Sequence, residues 1–275
     1  MPESTGHVDG SGQRQSDLWT ERARDWADVM EGWSGWGIPV YREILERVTV
    51  GRGTSLLDVG CGAGRFCRIA ADRGATVSGL DATASFVEIA RERVPDGDFR
   101  VGDMEDLPWA DDSFDVVTGF NSFFIAADMV NALREARRVA RPGASVAMTV
   151  FGRPERCQST AVFSSLRQLM PPTAGGTADE EEEEPGLHEE GTLETRATDA
   201  GLSPKESGYL EFAEEYPTLE TMLRGYLAAP PFVRAARAAG EAAVREALVE
   251  AFRSLETSSG RYRLEDEVRY LIAVA

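Results

Sequence analysis

The stretch that decides the fold is Leu56-Leu57-Asp58-Val59-Gly60-Cys61-Gly62-Ala63-Gly64. A short apolar run meets glycines at alternate positions, and a helical pattern begins directly behind them. Glycines belong where the backbone turns tightly or where a ligand approaches main-chain atoms, and the free N–H groups of a helix start suit an anion. The spacing is GxGxG, with Arg65 where a dinucleotide fingerprint GxGxxG would place its last glycine. Asp58 sits inside the strand end. Its charge would repel a pyrophosphate and attract an ammonium. The ligand implied at this turn carries a carboxylate and an amine rather than a diphosphate.

Working outward, apolar runs at 55–59, 76–80, 98–101, 114–120 and 144–151 alternate with helical patterns at 65–73, 85–94 and 129–141. Strands separated by helices of this length predict a parallel, doubly wound sheet with right-handed crossovers. Such a sheet binds ligands at the carboxyl ends of its strands. Asp81 ends the second strand, 17 residues beyond Gly64, where an acid accepts hydrogen bonds from ribose hydroxyls. Asp103 follows the third strand, placed to take an exocyclic amine of adenine, and the fourth runs into Asn121-Ser122-Phe123-Phe124. Amino acid, ribose and adenine follow in sequence along one edge.

Late in the chain, 205–212 and 268–274 read as two further strands joined by helical 217–257, an antiparallel addition to the sheet. Before the core, residues 1–16 read as a disordered tail. From 17 to 50 come helical segments holding four of the five tryptophans, broken by Gly32, Gly35 and Gly37. That region packs as a cap or as a lid over an apolar pocket.

The segments LLDVGCGAG, GLDAT, GDMEDLPWADDSFDVV and RPGASVAMTVFG resemble the class I S-adenosylmethionine-dependent methyltransferases of the ubiquinone/menaquinone and small-molecule tailoring kind, strongly over 54–152. The resemblance implies a Rossmann-like α/β fold. Its doubly wound seven-stranded sheet would be mostly parallel with an antiparallel edge strand, and residues 51–275 would form the domain, with acceptor-pocket insertions at about 152–191 and 217–257. It implies S-adenosylmethionine as cofactor and S-adenosylhomocysteine as product. Gly60, Cys61, Gly62 and Gly64 would lie against the methionine part, and Asp58 near its amine. Asp81 would hold the ribose hydroxyls, with Ala82 beside the adenine. Asp103 would accept from the adenine amine, Met104 would cover the ring, and Asn121 would lie near the sulfonium. The acceptor pocket would draw on Trp33, Trp36, Tyr41, Phe123, Phe124 and Phe151, which suit an apolar or aromatic small molecule. A repurposed fold that binds the cofactor but performs a non-methylating reaction such as a cyclisation is the other reading.

Charge narrows the partners. The chain has 275 residues, and 29 Lys and Arg against 47 Asp and Glu give a net −18. A surface of that sign gives nucleic acid and anionic lipid little to bind. Eight of the negative charges fall in one stretch without Lys or Arg, 171–191, which contains the acid run 179–184 and reads as a solvated loop. Three cysteines, Cys61, Cys67 and Cys157, without CxxC spacing point to reduced thiols in a cytoplasmic protein and to no metal site. Cys61 reads as a small turn residue rather than a nucleophile. The sole lysine, Lys205, fits the coding bias of a GC-rich bacterium. The expected assembly is a monomer or homodimer. No general base is named from the sequence, since His7 lies in the tail and His188 beside the acidic loop.

Overall fold

The computed structural model describes residues 17–33, 37–166, 169 and 186–275, the Trp33 side chain excepted. The tail 1–16, the Trp33 side chain, Trp36 and the acid run 179–184 therefore lie outside the described residues. Seven strands form one sheet: β1 (Ser55–Val59), β2 (Thr76–Asp81), β3 (Asp98–Val101), β4 (Phe114–Phe120), β5 (Ala140–Phe151), β6 (Ser203–Tyr216) and β7 (Tyr262–Val274), in the order β3-β2-β1-β4-β5-β7-β6. The first five pair in parallel. β7 runs antiparallel to both neighbours and lies one place in from the edge, which β6 occupies. β5 begins at Ala140 rather than near 144: Ala140 pairs with Phe114, and after a register shift the ladder resumes at Ser145 opposite Val116.

Period-two alternation places the two halves of the core. Leu56 and Val116 point to one face, where they meet Ile44 and Leu45 of α1 (Ile38–Arg47), Phe66 and Ala70 of α2 (Arg65–Asp72) and Val87 of α3 (Ala84–Arg93). Leu57, Val59 and Val117 point to the other, against Leu133 and Ala136 of α4 (Met129–Val139). Each fully buried leucine contributes roughly 1.5–3 kcal/mol of apolar transfer. The short helix α5 (Ser159–Ser164) follows β5, and α6 (Thr192–Asp199) precedes β6.

A third cluster sits above the carboxyl edge. Between β6 and β7 the chain forms α7 (Leu219–Tyr226), α8 (Pro230–Ala239) and α9 (Glu241–Phe252), so the expected helical stretch 217–257 is three helices. Met222, Tyr226, Phe232 and Phe252 pack there with Tyr216 and Leu264 of the hairpin and with Val29 and Met30 of the N-terminal segment. That N-terminal segment departs from the expected helix broken at Gly32. It is π-helical over Trp26–Trp33 and continues through Gly32. π-Helical turns gather at functional sites because the extra residue re-aims side chains.

One buried ion pair ties a crossover to the sheet. Arg269 of β7 is 1% exposed, and its Nη2 donates to both oxygens of Glu194 on α6 at 2.6 and 2.7 Å. Glu194→Ala should cost about 3 kcal/mol because it strands a buried guanidinium, whereas Arg269→Met, which removes the charge and keeps the stem, should cost less. Urea denaturation of the two variants checks the order; the reverse order would show that the pair does not control this contact.

Candidate active site

The turn after β1 is held from two sides. The Leu80 carbonyl accepts the N–H groups of Gly60 and Cys61 at 2.7 and 2.9 Å, and the Ser122 hydroxyl donates to Val59 O at 2.6 Å. Gly60 has φ 77°, and a Cβ there would lie 2.4 Å from the Ser122 Cβ. Only glycine allows β1 and the end of β4 to come this close. Gly64, also at positive φ, faces away: a Cβ on it would strike Ala90 of α3 at 2.9 Å. It serves helix packing and is not on the cavity wall.

The turn opens into a cavity of about 630 Å³ over the carboxyl edge of the sheet. Its wall includes Asp58, Gly60, Cys61, Gly62, Asp81, Ala82, Asp103, Met104 and Asn121, brought together from the ends of β1 to β4. Asp81 Oδ2 accepts the Gly62 N–H at 2.9 Å and Oδ1 the Thr83 N–H at 2.8 Å, which fixes the carboxylate at the strand tip. Asp103 Oδ1 accepts the Glu105 N–H at 2.9 Å. Asn121 turns with φ 49°, and its Oδ1 accepts from the Thr149 hydroxyl at 3.1 Å. The Cys61 thiol donates to Gly62 O at 3.6 Å, and burial pushes it well above the ordinary thiol range, which keeps it a neutral turn residue.

Of the residues expected at the acceptor, Tyr41, Phe124 and Phe151 line the same cavity. Phe123 does not. It is 1% exposed and packs beneath Gly119 in the core, where a 3-10 turn over Phe123–Ile125 turns one ring in and Phe124 out.

Several further wall residues are not singled out by name from the sequence, although the tryptophan-bearing N-terminal segment and the two insertions are expected to cover the pocket. Glu31, from the π-helical segment, accepts the Ala63 N–H at 2.9 Å and pairs with Arg93, although it is only 6% exposed. Arg65 lines the cavity at the start of α2, and its buried Nε has no hydrogen-bond partner among the described residues. Trp19, Trp26, Phe66 and Phe86 add apolar wall near the turn. At the other end stand Glu214, Asp266, Tyr226, Phe163 and Phe232. The signal for Glu31 was present as an acid within an apolar helical run, but its partner is 32 residues away.

Electrostatics concentrate on Asp58. It is 3% exposed, and its Oδ1 accepts from the Thr118 hydroxyl at 2.7 Å. Burial pushes its carboxyl up to about 8. The Thr118 hydroxyl opposes that rise, and the carboxylates of Glu31 and Asp81 add to it. Glu31 and Asp81 are also raised, chiefly by burial. The wall thus offers a cationic ligand group relief from mutual repulsion, while Arg65 supplies a donor for a carboxylate. An amino-acid end of the ligand fits these residues.

Folded Asp58 keeps its proton to about pH 8, whereas an unfolded aspartate loses it near ~3.9. The native state then binds more protons between those values, and stability falls as pH rises through that window. Without ligand, the protein should lose stability from about pH 5 to about pH 8, and Asp58→Asn should lose less over the same interval. Urea denaturation at both pH values measures it; equal losses in the two proteins would reject the assignment.

Comparison with known proteins bears on this geometry. Residues 57–148 match a family model described as a methyltransferase domain. A methyltransferase of Streptomyces halstedii, GfsG, is 38% identical over 113 residues, covering 38% of this chain and 41% of its own length. The demethylmenaquinone methyltransferase of Renibacterium salmoninarum is 34% identical over 134 residues, covering 48% of this chain and 56% of its own. The chain thus spans about half the length of these curated relatives. A Haloferax volcanii methyltransferase structure, solved as a complex with the Trm112 activator, superposes with TM-score 0.55 at 24% identity over 98% of this chain and 99% of that one, a likeness of fold. The matched segment runs from β1 into β5, and the strand order β3-β2-β1-β4-β5-β7-β6 is that of the class I S-adenosylmethionine-dependent methyltransferase fold.

Proposed function

We propose that the protein transfers a methyl group from S-adenosylmethionine to an oxygen, nitrogen or carbon of a small apolar or aromatic acceptor, leaving S-adenosylhomocysteine. The observation that carries this reading is the division of one cavity: Asp58, Asp81 and Asp103 converge at the ends of β1, β2 and β3, and the remaining wall is largely aromatic and aliphatic. In this assignment Asp58 holds the cofactor ammonium, Arg65 its carboxylate, and Gly60, Cys61 and Gly62 contact its methionine chain. Asp81 takes the ribose hydroxyls, Ala82 and Met104 flank the adenine, Asp103 accepts from its amine, and Asn121 sits toward the sulfonium.

The cofactor, when bound, supplies a methyl group already activated on sulfur. The chain's own work is then to orient the acceptor and exclude water. Positioning of this kind contributes ~7–11 kcal/mol. In this reading Tyr41, Phe124 and Phe151, which line the cavity together with Asn121, form the acceptor side, and Trp26 and Met30 of the π-helical segment add to the same wall. Among the described residues no helix is long and apolar enough to cross a membrane. We place the enzyme in the cytoplasm, acting on a diffusible substrate in natural-product biosynthesis.

Calorimetric titration with S-adenosylhomocysteine tests the cofactor half. The wild type should bind one equivalent, and Asp81→Ala should weaken binding at least about tenfold, the cost of charge-assisted hydrogen bonds to two hydroxyls. No binding by the wild type, or unchanged affinity in a folded Asp81→Ala protein, would overturn the assignment. Release of S-adenosylhomocysteine on turnover with aromatic and alkyl acceptors tests the reaction, and turnover of an acceptor without that release would favour a non-methylating use of the fold.

A further inference from the structure

The far half of the cavity holds two acids that the cofactor assignment does not use. Glu214 of β6 and Asp266 of β7 line the wall and are only 1% and 8% exposed. Asp266 stands opposite Phe212, and Leu264 opposite Glu214. The two acids are therefore diagonal neighbours on one face of the hairpin, with backbones ~7–8 Å apart. The hairpin extends past the last β5–β7 pair, Phe151 with Val268, so both acids project beyond the carboxyl edge. In the sheet order β7 stands three strands from β1, about 14 Å at the usual strand spacing. They face a different part of the ligand from Asp58.

Among the described residues neither acid has an ion-pair partner. Glu214 Oε2 accepts from the Tyr216 hydroxyl. Asp266 Oδ1 accepts the Ser159 N–H at 3.0 Å. The surroundings are aromatic: Tyr226 and Phe163 both pack on Phe232, with ring centres 5.6 and 5.4 Å away. Two carboxylates in such a place repel each other and lack hydration. A ligand cation compensates both, and aromatic faces favour it further.

We propose that Glu214 and Asp266 recognise a basic nitrogen carried as an ammonium by an otherwise apolar acceptor, which makes the substrate class an apolar amine. This rests on reading that half of the cavity as the acceptor site. Burial pushes the Glu214 carboxyl up to about 8, the Tyr216 hydroxyl opposes the rise and the Asp266 charge adds to it. At neutral pH Glu214 is then mostly protonated, and an arriving ammonium draws out that proton. Amine binding therefore releases a proton and tightens as pH rises toward 8. The other titratable or charged groups here are Asp266, Tyr216, Tyr226, Cys157, His188 and Arg234; burial raises Tyr226 and Cys157 and keeps both neutral over that range.

The probe is benzylamine, with benzyl alcohol as its neutral counterpart, titrated into the full chain saturated with S-adenosylhomocysteine in two buffers of different ionisation enthalpy. Benzylamine should bind at least about tenfold more tightly than the alcohol and release a proton on binding. Glu214→Gln should abolish both the preference and the proton release. Asp266→Asn should reduce the preference, and it serves alone if Glu214→Gln does not fold. Equal affinities, absence of amine binding, or a preference that survives both substitutions would overturn the proposal. A wild type that prefers the amine yet takes up no S-adenosylhomocysteine would overturn the methyltransferase reading and leave the amine site standing.

Discussion

The carbonyl oxygen of Leu80 accepts two successive N–H groups, those of Gly60 and Cys61, and the geometry of the whole cavity follows from that contact. A strand carbonyl at the end of a parallel ladder has no further strand partner, so it is free to hold the neighbouring turn. Holding it bends the chain sharply after Val59, and the bend brings Gly62 over Asp81 so that the carboxylate caps its N–H. The helix α2 then starts in the only direction left, with Gly64 against Ala90. On the other flank the same bend requires Gly60 to sit against Ser122. The ends of β1, β2 and β4 are thereby fixed relative to one another before any ligand is considered.

The cavity over this frame is built under electrostatic tension. Glu31, Asp58, Asp81, Glu214 and Asp266 all face it, and burial raises the carboxyl of every one of them from its ordinary value. Of these five, Glu31 alone has an ion-pair partner among the described residues. Burying acids without cations is costly, and a ligand that brings positive charge offsets the cost. The net −18 describes the surface, whereas these acids describe the site.

The legible part of the fold is the part whose signals are local. β3 and β4 match the expected 98–101 and 114–120, and the helices between the first strands differ by a residue or two, because alternating and helical periodicity are carried within each segment. Asp58, Asp81 and Asp103 could be read because each sits at a strand end, and the topology of a doubly wound sheet brings those ends together. The segment 26–33 could not be read as π-helical, since 3.6-residue spacing and a lone glycine favour an interrupted α-helix. Phe123 and Phe124 are neighbours of the same type, and only the 3-10 turn after β4 decides which ring faces the cavity.

The residues that escaped the sequence share one property: their meaning depends on a partner far along the chain. Glu31 acquires its role from Ala63 and Arg93. Glu214 acquires its role from a hairpin register that sets it diagonal to Asp266, 52 residues away by number. On β6 alone, an acid at 214 between Ala213 and Glu215 looks like one more solvated charge in a Glu-rich strand. What distinguishes it is the alternation that buries Phe212, Glu214 and Tyr216 while Glu211 and Glu215 face solvent. Period two was visible there, but the face to be buried was not, because the cover is supplied by an insertion whose position above the sheet is set by Tyr216, Tyr226 and Phe252 packing together.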